Sequence, residues 1–243
     1  MHSTNYVITF ILIITTVVAV GLTGLREATK PMADANEALF NKKGVLNSIQ
    51  AHFGDELPKD WDDEKVKEVY ESKVKEFVYD YQGNPIDSLK AIDLEKDRDK
   101  VNKLPVEERP FPVWVYEDGG KKYYVISVYG KGLWDKIWGC VAFEGDMQTI
   151  AGASFDHKGE TPGLGAEIKD SQAWYSKFIG RKTLNAEGEV AGVVVRKGGA
   201  KDKDFEVDAI SGATITCDGV TEMMVRGVSD YQPIFAALKK QNN

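Results

Sequence analysis

The chain of 243 residues has only two cysteines and three histidines, and both shortages exclude chemistry. Cys140 and Cys217 lie far apart and no C-x-x-C occurs, so no zinc-type site is supported. His2, His52 and His157 are scattered, which argues against a histidine-rich metal site. Two cysteines permit one disulfide without implying it. Positive charge is not in excess either. A formal net charge of −7 speaks against non-specific binding to nucleic acid. No G-x-G-x-x-G follows a strand-like run, which removes a Rossmann dinucleotide site. There is no internal repeat. No residue stands out as a substrate-specific acid, base or nucleophile.

What the chain has first is a long apolar run. From Tyr6 to Leu25 no charged residue occurs and most side chains are aliphatic. Roughly 20 such residues cross a bilayer as a helix. A cleaved signal peptide would have a shorter apolar region and a clearer small-x-small site than Gly21-Leu22-Thr23-Gly24. No cysteine follows to take a lipid. The run therefore reads as an uncleaved, single-pass transmembrane helix. The tail before it has no Lys or Arg, whereas Arg26 and Lys30 follow it. Taken alone, this bias leans towards a cytoplasmic C-terminal side.

Ala35 to Phe53 has broadly helical spacing, interrupted at Gly44. Asp62-Asp63-Glu64 opens a second expected helix, acidic at its start. Val66, Val69, Tyr70, Val74, Phe77, Val78 and Tyr81 form its apolar face, and Gly83-Asn84-Pro85 ends it. Ile86 to Arg109 is highly charged and reads as a surface excursion. The texture then changes. Phe111 to Tyr129 reads as a hairpin turning at Gly119-Gly120, and Ile137 to Ser154 as another turning at Gly145-Asp146. Trp174 to Ile179 reads as a short helix, and Val190–Lys197 and Phe205–Ala209 as later strands. Thr216 to Lys240 reads as a helix kinked or restarted near Pro233. Grouped strands with flanking helices indicate an α+β fold with a mainly antiparallel sheet.

Two stretches carry the chemistry. The first is Asp208-Ala209-Ile210-Ser211-Gly212-Ala213-Thr214. Ser211-Gly212 allows a tight turn, Ala213 leaves room beside the backbone, and Thr214 presents a hydroxyl ahead of a helical apolar run. Unpaired N–H groups at a helix start accommodate a phosphate. An ordinary N-cap turn, using Ser211, Thr214, Thr216 or Asp218, explains the same residues without a ligand. The second stretch is His157-Lys158-Gly159-Glu160-Thr161-Pro162-Gly163-Leu164-Gly165. Pro162-Gly163 is a turn dipeptide. Gly163 and Gly165 let main chain approach a flat ligand, Glu160 and Thr161 supply polar atoms, and Leu164 offers an apolar face. A type II turn between strands is the plain structural alternative. A third patch, Gly132-Leu133-Trp134, precedes both in a glycine-rich loop.

The first stretch resembles the flavinylation signature D-x-x-[ST]-G-A-T, matched through Asp208, Ser211, Gly212, Ala213 and Thr214. The second resembles the glycine-rich loop that lines the isoalloxazine in FMN-binding domains bearing that signature. Together with the N-terminal helix, the pattern is similar to the family formed by the C subunits of sodium-translocating NADH:quinone reductases. The G subunit of the Rnf ferredoxin:NAD oxidoreductase is a close relative, set apart by the long region before Phe111. A stand-alone flavin reductase is a further alternative, though the positioned acid or base it needs is not found.

The resemblance implies a cofactor, FMN, attached covalently by a phosphoester to Thr214. It implies a membrane-anchored electron-transfer subunit with no complete active site of its own. Its partners would be the other subunits of the complex and a flavin transferase that reads Asp208 with a metal ion. Thr216, Trp134, Glu160, Thr161, Gly163, Leu164 and Gly165 would line or support the flavin site. The expected organisation is a tail over residues 1–5, the transmembrane helix over 6–25, a charged helical region over 26–110 that packs on the domain, and the FMN-binding domain over 111–243. The resemblance also implies an inner-membrane protein with this domain on the periplasmic side, against the weak charge signal.

Overall fold

A computed structural model describes residues 3–242. His2 and part of the expected tail lie outside the described residues. The chain divides into two units, residues 1–39 and 40–243. Helix α1, Thr4–Ser48, supplies nearly all the described residues of the first unit and enters the second. The expectation of two helices here is corrected: α1 runs on through Arg26–Asp34, across Pro31 and past Gly44. Arg, Glu, Ala and Lys in that stretch are good helix formers, and the helix continues in spite of Pro31, which removes one backbone donor. Within the first unit the apolar side chains stand exposed, Leu12, Val17, Val20 and Leu25 among them. The segment is long and apolar enough to cross a membrane.

The second unit is built on a five-stranded antiparallel meander. Helix α2, Asp63–Lys73, starts at Asp62, whose carboxylate accepts from Lys65 N. Strand β1, Val74–Tyr79, follows it directly and pairs with β2, Phe111–Asp118. The single helix expected through Tyr81 therefore ends at Lys73. Val74, Phe77 and Val78 satisfy a helical spacing, but their β-branched and aromatic side chains pair as well in a strand, and β2 supplies the partner. The charged excursion contains two short helices, α3, Ala91–Lys96, and α4, Arg98–Val101. Strands β3, Lys121–Lys131, β4, Lys136–Phe143, and β5, Ile150–His157, complete the sheet in the order β1-β2-β3-β4-β5. Both expected hairpins are present.

Short helices α5, Glu167–Asp170, and α6, Gln172–Tyr175, follow β5. Strands β6, Val194–Arg196, and β7, Glu206–Asp208, pair in parallel as a separate two-stranded sheet. The last helix is α7, Thr214–Asn242. It is a single helix through Pro233 and does not restart there.

Strand alternation sends Val113, Val115, Tyr124, Ile126, Val128 and Val141 into the main core. Helix α7 closes that core with Val220, Met223, Met224, Val228, Tyr231 and Phe235, spaced at three and four. The opposite face of the sheet is covered by the end of α1 and the turn after it. Ser154 Oγ donates to Gly44 O at 2.8 Å, and the His52 ring lies 5.2 Å from that of Tyr116. Cys140 and Cys217 are both buried and both free.

Helix α7 is held in place where its second turn lies against the end of β3. A Cβ on Gly219 would collide with the Lys131 carbonyl oxygen. Helix propensity alone would make Gly219→Ala stabilising by about 1 kcal/mol. The collision is with backbone, so we expect a net loss of about 1–2 kcal/mol instead. Thermal unfolding checks the sign, and a stabilised variant would refute the close approach.

Candidate functional site

Three turns from distant parts of the chain converge at the start of α7. The first is Gly132–Asp135, joining β3 to β4 and closed by Gly132 N to Asp135 O at 2.8 Å. The second is Thr161–Leu164, closed by Leu164 N to Thr161 O at 2.9 Å. Pro162 is its second residue and Gly163, at φ +81°, its third. That is the sequence and backbone sign of a type II turn, which glycine alone adopts freely at the third position. The last is Ile210–Ala213, closed by Ala213 N to Ile210 O at 3.2 Å, with Gly212 at φ +84°. The last two turns touch: a Cβ on Gly212 would lie 2.7 Å from the Gly163 carbonyl oxygen.

Glu160 holds the three together. It is only 5% exposed. Its Oε1 accepts from Trp134 N at 3.0 Å and Asp135 N at 3.4 Å, and its Oε2 accepts from Leu133 N at 3.2 Å. Thr216, wholly buried, donates its hydroxyl to Oε2 at 2.7 Å. The Thr216 oxygen also lies 3.2 Å from Leu164 O. Burial pushes the Glu160 carboxyl up, but the Thr216 hydroxyl and the backbone amides outweigh it and hold the group below the usual carboxylate range. Glu160 is thus turned inward, and the polar atoms expected from it towards a ligand are engaged within the protein. The backbone N of Glu160 donates to His157 Nδ1 at 3.0 Å.

Thr214 and Thr216 differ sharply. Thr214 is the first residue of α7 and is exposed. Among the described residues its hydroxyl has no hydrogen-bond partner. The first bond of the helix is Cys217 N to Ala213 O at 2.9 Å. The N–H groups of Thr214, Ile215 and Thr216 consequently stand without backbone acceptors, at the positive end of a 29-residue helix. Ala213 is buried beneath them and Ser211 is exposed beside them. Around this helix start, three large apolar residues remain in water: Trp134 at 62%, Ile215 at 57% and Leu164 at 38% exposure. Thr161 is exposed on the same turn as Leu164. An exposed hydroxyl, free amides and uncovered apolar surface suit a phosphate carrying a flat ring.

Asp208 ends β7 away from the Glu160 clasp. Its Oδ2 meets Lys177 Nζ at 2.8 Å and its Oδ1 accepts from Ala200 N at 2.8 Å. The Lys177 ammonium holds its carboxyl below the usual range. Two contributors were not legible beforehand. Ile215 reads as bulk between two threonines, and its exposure is set by the helix phase. Glu167 Oε1 accepts from Gly163 N at 2.5 Å and steadies the second turn.

Residues 132–229 match the FMN-binding domain family. Over longer stretches the chain is similar to proteins named as the C subunit of Na(+)-translocating NADH-quinone reductase. It is 34% identical to that protein of Haemophilus ducreyi over 157 residues, 63% of this chain and 60% of the relative. With the Neisseria meningitidis protein the match spans 48% of the relative at 39% identity. The chain thus aligns with these two over 60% and 48% of their own length. The Pseudomonas aeruginosa protein of the same name is 29% identical over 98% of this chain and 97% of the relative. The crystal structure of the C subunit from Parabacteroides distasonis shares the fold with a TM-score of 0.69 at 28% identity, covering 85% of this chain and 96% of that one. Shewanella oneidensis NqrC gives 0.70 at 27% identity, covering 85% and 99%. The resemblance read from the motifs and the α+β fold class are both borne out.

Glu160→Gln places an amide NH2 against backbone donors and should cost about 2–3 kcal/mol at neutral pH. The folded pKa of Glu160 lies below the ordinary value of 4.5. Its pH-linked stability is therefore complete above that value and is lost as pH falls through the folded pKa. Urea unfolding along a pH series should show the wild-type advantage constant near neutrality and shrinking below pH 4.5. An advantage that does not change with pH would sink the assignment.

Proposed function

We propose that this chain is the membrane-anchored, flavin-carrying subunit of a sodium-translocating NADH:quinone reductase, with FMN joined through its phosphate to Thr214 Oγ1. The observation that carries this reading is the exposed Thr214 hydroxyl, unpartnered among the described residues at the N-terminus of a long helix and ringed by exposed Trp134, Ile215 and Leu164. Bound FMN would supply a carrier of one or two electrons, able to link hydride donors to one-electron acceptors.

The chain's own residues would do five things. Thr214 would hold the group, its Oγ1 serving as the ester oxygen on the phosphate. The free N–H groups of the first turn of α7 face the remaining charge of the diester, favouring it by about 0.3–1 kcal/mol where exposed. Trp134, Leu164 and Ile215 offer apolar surface to the ring and Gly163 lets main chain come close, while buried Gly165, expected at the ligand, instead makes room for Thr216. Glu160 and Thr216 keep those turns in register without touching the cofactor. Asp208 belongs to the surface that the transferase reads. In this reading no described residue is assigned as acid or base on a substrate, in keeping with a relay between partner subunits. Tyr6–Leu25 anchors the protein, and the flavin domain lies on the periplasmic side of the inner membrane.

Co-expression with a flavin transferase tests the attachment. Thr214→Ala should carry no covalent flavin, because alanine has no oxygen to esterify, whereas Thr214→Ser should retain some. Thr216→Val should retain flavin on Thr214 while losing about 1–2 kcal/mol of stability with its buried hydrogen bond. Tryptic peptides weighed for FMN decide, and a modified peptide surviving in Thr214→Ala would rule the site out.

Topology is checked separately with reporters fused after Asn243. A reporter active only in the periplasm should work and one active only in the cytoplasm should not. The reverse result would overturn the orientation.

A further inference from the structure

A cavity of about 300 Å³ opens on the face of the sheet opposite α7, between the last turns of α1 and strands β4 and β5. It is separate from the residues around Thr214. Its walls are aromatic at Phe40, Trp138 and Tyr175, and its floor includes Gly139, which has no side chain. The Cys140 thiol stands in the wall, raised by burial and therefore neutral. This size and lining fall within the range of small-molecule sites.

Two amides in the wall have unmet hydrogen-bonding capacity. Asn41 is 6% exposed, and its Nδ2 has no partner although its Oδ1 accepts from Arg98 at 2.9 Å. Asn47 Oδ1 is likewise buried and without a partner. Both atoms are closed off from the cavity space itself, so these amides shape its wall without offering a bond to a ligand.

Charge adds direction. Arg98 is paired with Glu95 at 3.0 Å and Lys169 with Asp156 at 3.0 Å, so those four cancel. Among the described residues Lys43 Nζ meets only carbonyl oxygens, of Trp61 at 2.8 Å and Lys59 at 3.3 Å. Among them Lys59 Nζ meets only Gln172 Oε1, at 3.3 Å. Against these two cations stands one lining carboxylate without an ion pair among the described residues, Asp170, on the exposed rim.

We propose that this cavity binds a planar aromatic small molecule carrying an anionic group, its ring between Phe40 and Trp138 and its charge on Lys43. Nothing in this assignment depends on the flavin at Thr214.

Gly44 gives the cleanest way to close the site. It lines the cavity, and a Cβ there would meet nothing nearer than Cys140 Sγ at 3.9 Å. Gly44→Leu should fill the space without straining the helix. The test titrates the full chain in detergent with 1-naphthoate, neutral 1-naphthylmethanol and cationic 1-naphthylmethylamine, read by calorimetry. Naphthoate should bind once per chain and more tightly than the other two. Gly44→Leu should abolish that binding at an unchanged melting midpoint. Lys43→Gln should weaken it by about tenfold, the loss of one charge-assisted hydrogen bond. Should Gly44→Leu fail to fold, Lys43→Gln still decides between specific binding and partition into detergent. Absence of saturable binding, equal binding of all three probes, or binding unaffected by either variant would overturn the proposal.

Discussion

A carboxylate removed from water must be compensated, and Glu160 is compensated without a cation. Three backbone amides and the Thr216 hydroxyl converge on its two oxygens. Desolvation of a charge costs several kcal/mol, which only a full set of charge-assisted hydrogen bonds offsets. The geometry is therefore all-or-none. Residues 133–135, 160 and 216 are remote in sequence, yet each must be in place for the others to be tolerable. The turn bearing Trp134, the turn bearing Leu164 and the start of α7 are fixed relative to one another by this group.

The sheet extends that rigidity to the rest of the unit. Strand β4 follows directly from the Gly132–Asp135 turn, and its side chains alternate between two buried faces. Ile137 and Val141 enter the core beneath α7, while Trp138 and Cys140 line the cavity under the end of α1. Both faces are packed, so a strand that shifted by one residue would exchange the two sets and satisfy neither. The helix-start site and the cavity thus stand on opposite sides of one element whose register cannot slip.

Legibility in the sequence followed the range of the interaction. Local signals were readable. Gly119-Gly120 marked a hairpin, Pro162-Gly163 a type II turn, and Ser211-Gly212 the turn before α7. The antiparallel sheet was readable from Phe111 onward because its strands are joined by short turns. Strand β1 was not, because Val74, Phe77 and Val78 fit both periods and only pairing with a strand that begins 37 positions after Val74, at Phe111, decides between them. Glu160 was seen as a residue of the site but not in its orientation. An acid beside a glycine turn looks like a ligand group, and only the arrival of residues 133–135 and 216 turns it inward. The cavity was illegible for the same reason: Asn41, Cys140 and Lys43 carry no motif and meet only in the folded sheet.

The two threonines show how one helix start buries one hydroxyl and exposes another. Their side chains are identical and two positions apart. On a helix that spacing points them to different sides, one towards the protein and one away from it. A buried hydroxyl bound to Glu160 cannot also be offered to a large nucleotide, since its lone pairs and its surroundings are already filled. An exposed hydroxyl at the first helical position has neither constraint, and it lies among N–H groups that lack acceptors. The position of the helix start decides which threonine is which. That start is set by the Ile210–Ala213 turn and by the contact of Gly219 with the end of β3. A start one residue later would rotate the first turn by about 100°. It would carry Thr216 off the carboxylate and Thr214 out of the ring of Trp134, Leu164 and Ile215, so the clasp and the exposed hydroxyl are consequences of the same register.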